Sequence, residues 1–333
     1  MTTKTRTARS IPVRKRKKKF SITIVGAGRL GLALGRALKE SDHSINLVLT
    51  RTAGSARHAA LALHADSIAA LKLTNELPQH HRELIIQSDI IIIATPDDSI
   101  PHVGDELARL FKSMRSGSRA RLSLPSVAVH TSGALSSDVI APIRSHGIAV
   151  GSIHPLISIS DQTTHRSFAG VYFALEGDVA AVRAGKRLTL DLGGNSFVIS
   201  ADKKPLYHAA ALMASPNLTT LIDIAIEMML HCGISARHAR QMLLPLIQST
   251  VQNLVHQEPR AALTGTFKRG DIDTVKKHLA AIASERLTDA LTLYITLGAR
   301  SLKLSNLPKR RSSAMNDLLT EIVSESRRSG TPT

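Results

Sequence analysis

The stretch Phe20–Gly31, FSITIVGAGRLG, runs from an apolar segment directly into three spaced glycines. Its first half, Phe20–Val25, predicts a buried strand, and leucines at helical spacing predict a helix over Leu30–Lys39. The pattern G-x-G-x-x-G between a strand and a helix is typical of a turn that binds a dinucleotide. The stretch therefore predicts the first strand, turn and helix of an α/β domain.

Each glycine of this turn has a role in that prediction. Gly26 permits the tight turn, Gly28 lets the backbone approach a pyrophosphate, and Gly31 lets the helix lie close to the strand. Unpaired N–H groups at the start of the helix would face the phosphates. We therefore predict cofactor contacts along the whole turn, at Gly26, Ala27, Gly28, Arg29, Leu30 and Gly31.

Outward from the turn, short β-branched runs alternate with amphipathic segments as far as residue 200. Further strands are expected at Ile45–Thr50, Asp89–Ala94, Ser126–His130, Ile148–Ile153, Gly170–Leu175 and Ser196–Ser200. Alternating strands and helices predict a parallel, doubly wound sheet. We therefore expect an α/β fold, with a Rossmann domain over 20–200 and an all-α domain over 201–305. Residues 1–19 are expected to form a disordered basic tail, and 306–333 a weakly ordered tail with one helix at Met315–Ser324.

The second predicted strand ends in Leu49-Thr50-Arg51-Thr52 and carries no carboxylate. NAD sites place Asp or Glu at this point to bind the ribose 2′-hydroxyl, whereas Arg51 could pair with the 2′-phosphate of NADP. The hydroxyl groups of Thr50 and Thr52 could donate hydrogen bonds to the same phosphate. We therefore predict NADP as the cofactor; a surface arginine after a strand is the alternative interpretation.

Polar residues follow three later strands, at the edge where doubly wound folds bind ligands. Thr95 and Pro96 are expected beside the cofactor, although the same segment could simply begin the next helix. Thr131 is expected near the nicotinamide, and Ser132 could donate to a substrate oxygen. His154 ends a further strand, where a packed core histidine is the alternative to a proton donor.

In the helical half, polar residues interrupt an apolar segment that Pro216 should kink. Lys204 and His208 are four residues apart and share one face of a helix. A polar stripe of this kind suits a cleft between two domains, and a satisfied core network is the alternative. We predict His208 and His154 as candidate proton donors, and Ser132 and Asn217 as residues that orient the substrate; no metal site is expected.

The net charge of +17 over 333 residues is unevenly placed, with nine Lys and Arg residues in 1–19. About half of the excess therefore lies in a terminal arm, for which binding to nucleic acid or an anionic membrane is an alternative role. With 43% hydrophobic residues the chain is not mostly disordered, and its single cysteine, Cys232, excludes an internal disulfide or a Cys-based zinc site. We find no secretory signal and no membrane-length apolar run, so we expect a cytoplasmic protein without a membrane or specific nucleic-acid partner.

Several segments together are similar to a known family. They are GAGRLG (26–31), ATPDDSI (94–100), HTSGALSSD (130–138), SIHPLISI (152–159), KPLYHAAALMASPNL (204–218) and ALTGTFKRGDIDTVKKHL (262–279). The chain resembles proteins that join a Rossmann-like NADP-binding domain to a helical domain of unknown function, near the 6-phosphogluconate dehydrogenase, pyrroline-5-carboxylate reductase and ketopantoate reductase relatives. The resemblance implies an NADP-linked oxidoreductase, a helical dimerisation domain and an active site between the two domains.

The chain also departs from better-known relatives. Hydroxyacid dehydrogenases of this superfamily carry a lysine four residues before an asparagine, whereas Asn217 has Met213 at that position. The lysine-based acid of those enzymes is therefore not carried over. We expect an oxidoreductase that transfers a hydride to or from a small C=O or C=N substrate. The alternative, which the missing lysine supports, is a non-catalytic NADP(H)-binding sensor or scaffold. The segment 209–230 is apolar around most of its helical circumference, so it should be buried on all sides. A second copy of the chain can supply the missing cover, so we also predict a homodimer.

Overall fold

The computed structural model describes residues 19–63, 68–70, 77–117, 124–160 and 167–328. Apart from Lys19, the predicted basic tail over 1–19 lies outside these ranges. Within them the chain divides into two compact units, Met1–Leu212 and Met213–Thr333. The predicted domain boundary between 200 and 201 therefore falls inside the first unit, because the start of the next helix packs against the sheet.

The first unit is built on an eight-stranded sheet in the order β3-β2-β1-β4-β5-β6-β7-β8. The strands are β1 Ser21–Val25, β2 Ser44–Thr50, β3 Ile68–Ala70, β4 Ile90–Ile93, β5 Val127–His130, β6 Ala149–Pro155, β7 Tyr172–Gly177 and β8 Asn195–Val198. The first six positions follow the doubly wound order that the sequence predicts. The α/β fold with a following helical region is therefore confirmed.

One expectation about this sheet is wrong, since it is not parallel throughout. β7 pairs antiparallel with β6, with His154 opposite Ala174, and β8 then pairs parallel with β7. Parallel neighbours need a crossover connection, usually a helix. The described residues between Pro155 and Tyr172 contain no helix, so the next strand enters in the opposite direction.

The helices of the chain are α1 Arg29–Glu40, α2 Ala53–Leu63, α3 Gln79–Ile86, α4 Ile100–Gly117, α5 Val179–Asp191, α6 Lys204–Ala214, α7 Pro216–His231, α8 Ala236–His256, α9 Pro259–Ala262, α10 Thr266–Arg269, α11 Ile272–Ser284, α12 Thr288–Leu304 and α13 Lys309–Arg328. Short 3₁₀ segments lie at Asp97–Ser99, Ser137–His146 and Ala201–Lys203.

The central strand β4 shows why the sheet is covered on both faces. Its four isoleucines are all buried, and side chains alternate between the two faces of a strand. Ile90 and Ile92 pack into the cluster formed with α1, α2 and α5, whereas Ile91 and Ile93 pack into the cluster formed with α3 and α4. These two layers fix the carboxyl ends of the parallel strands, where the functional residues lie.

The second unit has its own small core, formed by buried residues of α11, α12 and α13. On α13, Met315 and Leu319 are spaced four apart and are both buried. Within the expected weakly ordered tail over 306–333, Lys309–Arg328 forms a helix whose apolar face packs into this core.

An apolar stretch crosses the division between the two units. By length and hydropathy alone, Ala201–His231 is the single helical stretch among the described residues that could cross a membrane, and one such stretch is weak evidence. The expected kink near Pro216 is a full break between α6 and α7 at Ser215, where φ is −129° and ψ is −79°. Pro216 then occupies the first turn of α7, where its missing N–H costs nothing.

Candidate functional site

The glycine turn after β1 has the geometry that the sequence predicts. Gly26 has a φ of +104°, and a Cβ at this position would lie 2.6 Å from the carbonyl oxygen of Ala94. A Cβ at Gly31 would collide with the carbonyl oxygen of Gly26. Both positions therefore require glycine, and Gly28 forms the N-cap of α1. The first N–H groups of α1 have no acidic side chain in the first turn to bind them.

A cleft of about 620 Å³ opens beside this turn. Most of the predicted cofactor residues line it together: Gly26, Ala27, Gly28, Thr50, Arg51, Thr52, Thr95 and Pro96. Arg29, Leu30, Gly31 and Thr131 are not part of the lining; Gly31 instead packs within the turn and Thr131 is buried. This volume is typical of a pocket for a small molecule or cofactor.

Two features of the cleft fit a nucleotide. Gly28 has no atom within 4 Å of the place where a Cβ would stand, so the backbone there is open to a ligand. The hydroxyl oxygen of Thr95 is buried and has no hydrogen-bond partner among the described residues. Buried polar atoms are nearly always paired in folded proteins, so a ligand in the cleft is a natural partner for this hydroxyl.

The end of β2 carries hydroxyl groups and a cation. The Thr50 hydroxyl donates to the carbonyl oxygen of Thr52 at 3.0 Å, and the Thr52 hydroxyl accepts from the backbone N–H of Ser55. Arg51 is exposed at the cleft. The acidic residue of the lining, Glu106, comes from α4 and stands 3.3 Å from His102. Within the described part of the chain, the lining therefore lacks a carboxylate at the end of β2, where an NAD site would place one.

A second group of residues lies at the ends of β4 and β5. The Ser132 hydroxyl donates to the Asp97 carboxylate at 2.7 Å and accepts from the backbone N–H groups of Ala134 and Leu135. These bonds tie the loop after β4 to the loop after β5. They also engage the only hydroxyl hydrogen of Ser132, so its predicted donation to a substrate requires that the bond to Asp97 opens.

His154, Tyr207 and His208 come together beside the β5 loop. Nδ1 of His154 lies 2.8 Å from the Tyr207 hydroxyl, and the His154 and His208 rings meet edge to face at 5.4 Å. A Cβ on Gly133 would collide with Nδ1 of His208 and lie 3.0 Å from Nε2 of His154. Burial, with His208 and Lys204 nearby, lowers the pKa of His154 to about 4. The ring is therefore neutral at physiological pH.

Lys204 lies beneath these rings, and its side chain is fully buried. Its ammonium group donates to the Ser132 carbonyl oxygen at 3.1 Å and to the Ser152 hydroxyl at 2.6 Å. Ser152 in turn donates to Glu176, which also accepts two hydrogen bonds from Ser137. Burial lowers the pKa of Lys204 to about 8, although Glu176 and Asp97 act in the opposite direction.

The sequence identifies only part of this group. His154, His208 and Ser132 are predicted site residues and do lie together, whereas Lys204, Asp97 and Glu176 are not among the predicted ones. The four-residue spacing of Lys204 and His208 is the available signal for Lys204. Asn217 belongs to the second unit, where its amide donates to the Met213 sulfur at 3.0 Å, and its predicted role remains a prediction.

Comparison with known domains matches both parts of the chain. The model of a Rossmann-like domain matches residues 5–155, and that of a domain of unknown function, DUF2520, matches residues 171–301. The resemblance found in the sequence is confirmed by these two matches. No curated protein matches the chain by sequence.

Solved structures share the fold over most of the chain. A Bacteroides fragilis protein, provisionally assigned as an NADP oxidoreductase, is 21% identical with a TM-score of 0.64, over 90% of this chain and 98% of its own. A pyrroline-5-carboxylate reductase from Coxiella burnetii is 12% identical with a TM-score of 0.51, over 87% of this chain and 100% of its own. An imine reductase from Myxococcus stipitatus in complex with NADP⁺ is 19% identical with a TM-score of 0.51, over 92% of this chain and 94% of its own. The chain therefore has a fold that is also found in NADP-dependent oxidoreductases.

Proposed function

The chain joins a Rossmann-like domain to a DUF2520 domain, and from this premise we propose that it is an NADP-dependent oxidoreductase. The proposed reaction transfers a hydride to or from the carbon of a small C=O or C=N substrate. The observation that carries the proposal is the position of the histidine group, which consists of His154, His208, Tyr207 and Ser132. This group and the nucleotide cleft both lie at the carboxyl edge of the sheet. Thr95 lines the cleft, and Asp97, two residues later, bonds to Ser132 of the histidine group.

The residues of the cleft fit the parts of NADP. The N–H groups at the start of α1 would bind the pyrophosphate, and Arg51 would pair with the 2′-phosphate. When bound, the nicotinamide supplies or accepts the hydride. An imine reductase in complex with NADP⁺ shares this fold, which supports the same cofactor here.

His154 is the proposed contact to the reacting heteroatom. Because its pKa is about 4, the ring at neutral pH offers an N–H hydrogen bond and holds no imidazolium proton to transfer. An iminium substrate already carries its proton and needs only a hydride; as the amine forms, its nitrogen gains the lone pair that can accept the N–H of His154. A carbonyl substrate also needs a proton, for which His208 is the candidate. These requirements favour C=N over C=O within the proposed class.

A turnover screen tests the proposal. NADPH oxidation would be followed with small 2-oxo acids and with small cyclic imines, and we expect oxidation with at least one imine. Gly28→Val should abolish NADPH binding, since a side chain there fills the approach of the pyrophosphate without touching any described protein atom. His154→Gln should keep NADPH binding and reduce kcat by about 10²-fold.

The same screen identifies the alternative function. If NADPH binds wild type but not Gly28→Val, and no compound supports NADPH oxidation, the result contradicts the proposed enzyme. It would instead favour the NADP(H)-binding sensor or scaffold. A cytoplasmic location and a homodimer complete the proposal.

A further inference from the structure

Tyr207 contacts His154 and is not among the residues that line the nucleotide cleft. Its hydroxyl stands 2.8 Å from Nδ1 of His154, and its ring meets the His154 ring edge to face at 5.6 Å. The tyrosine ring also meets Phe197 of β8 edge to face at 5.8 Å. Two ring contacts and a hydrogen bond therefore position the phenol.

The hydrogen bond between Tyr207 and His154 could run in either direction. Burial raises the pKa of Tyr207 to about 12, so the phenol keeps its hydrogen, and the neutral imidazole has one donor and one acceptor nitrogen. A phenol is the better donor and an imidazole nitrogen the better acceptor of this pair. The more stable arrangement therefore has the phenol donating to Nδ1, which leaves the ring hydrogen on Nε2.

Nε2 of His154 is the nitrogen that faces the loop at Gly133. Among the described residues, no hydrogen bond engages this nitrogen, whereas Nδ1 is paired with Tyr207. The charged or titratable groups that act on the ring are His208, Lys204 and Asp97. An N–H at Nε2 therefore has no acceptor among the described residues and is the ring hydrogen left for a substrate heteroatom.

We propose that Tyr207 is a positioning residue that donates its phenolic hydrogen to Nδ1 of His154 and so holds the ring with its N–H at Nε2, directed to the substrate. The direction toward a substrate rests on the proposed function. The predicted Nε2–H tautomer of His154 does not depend on the proposed function, because it follows from the contact with Tyr207 within the protein.

The experiment is NMR of the ¹⁵N-histidine-labelled full chain at neutral pH, which distinguishes protonated from unprotonated ring nitrogens. His154→Gln assigns the His154 resonances by their loss. We expect wild type to show Nε2–H and unprotonated Nδ1. Tyr207→Phe keeps the ring that packs on Phe197 but removes the hydroxyl, so the two tautomers should mix. Tyr172→Phe, at an exposed tyrosine of β7, is the matched control and should leave the spectrum unchanged.

Turnover of a cyclic imine with NADPH gives the second measurement. Tyr207→Phe should lower kcat roughly two- to fivefold, in line with the smaller fraction of Nε2–H rings, while the Kd for NADPH stays the same. Nδ1–H in wild type, or an unchanged His154 spectrum in Tyr207→Phe, would overturn the proposal. A shifted tautomer without turnover by wild type would support the role of Tyr207 and contradict the proposed enzyme.

Discussion

Arg51 is an exposed cation directly after β2, on the lining of the nucleotide cleft. We predict that NADPH binds more tightly than NADH, since the guanidinium can form charge-assisted hydrogen bonds to the 2′-phosphate. Arg51→Asp should weaken NADPH by about tenfold or more and leave NADH much less affected. Fluorescence titration of both cofactors measures the difference. Arg183→Asp, on α5 outside the cleft lining, is the control, and equal affinities in wild type would rule out the assignment.

Lys204 gives a prediction about pH and stability. Its pKa is about 8 in the folded chain, against 10.5 for an ordinary lysine, so between these values the native state loses the proton first. The unfolded state then binds more protons, and rising pH favours the native state. The free energy of unfolding of wild type, relative to that of Lys204→Met, should therefore rise from pH 8 to pH 10.5, by at most ~3 kcal/mol.

Urea unfolding of both proteins across this range measures that difference, and the comparison cancels groups that the two proteins share. Lys186→Met, at an exposed lysine of α5, is the control and should show no such trend. A difference that stays constant or falls with pH would mean that burial does not lower the pKa of Lys204.

Single residues also show what could be predicted from sequence. The glycine turn is local: Gly26, Gly28 and Gly31 lie within six residues and carry their own pattern, so the sequence predicts them directly. Lys204 bonds to Ser132 across a separation of 72 residues, and His154 to Tyr207 across 53. Residue spacing along the sequence does not reveal contacts over such separations. The sequence alone therefore could not show whether Lys204 is buried or exposed.

At the scale of elements, predictions succeed where one periodicity dominates. The prediction of a helix over Leu30–Lys39 differs from α1, Arg29–Glu40, by a single residue at each end. β3 is only three residues long and is not predicted, nor is the eight-residue α3. The direction of β7 depends on the connection that precedes it, and the residues of the strand itself do not determine it. Local composition also indicates a weak tail where α13 packs through Met315 and Leu319, because charged residues outnumber the buried ones there.

At the scale of the whole molecule, the helical unit exposes a large apolar surface that a partner chain could cover. α7 has no buried residue, and α8 exposes Met242, Leu244, Leu246 and Val255, each by half or more of its surface. Exposed apolar surface of this extent marks interaction sites, and a two-fold pair is the commonest solution. We predict a homodimer in solution.

Light scattering at micromolar concentration tests this prediction. The expected mass is twice that of one 35.8 kDa chain, and a mass near one chain would contradict the dimer. Val255→Glu should shift the population toward single chains, because a carboxylate there would be buried without a partner. Leu61→Glu, at an equally exposed residue of α2 in the first unit, should leave the mass unchanged.

The position of α6 after β8 has a consequence for the order in which the site is completed during synthesis. β8 lies at the edge of the sheet, and α6 follows it and brings Lys204 to Ser152 and Tyr207 to His154. The cleft lining ends at Glu106, whereas Tyr207 and His208 come last in the first unit. During synthesis the amino-terminal part emerges and folds first. If the proposed cofactor binds a nascent chain, it would therefore stabilise that chain before the groups that would act on a substrate are in place.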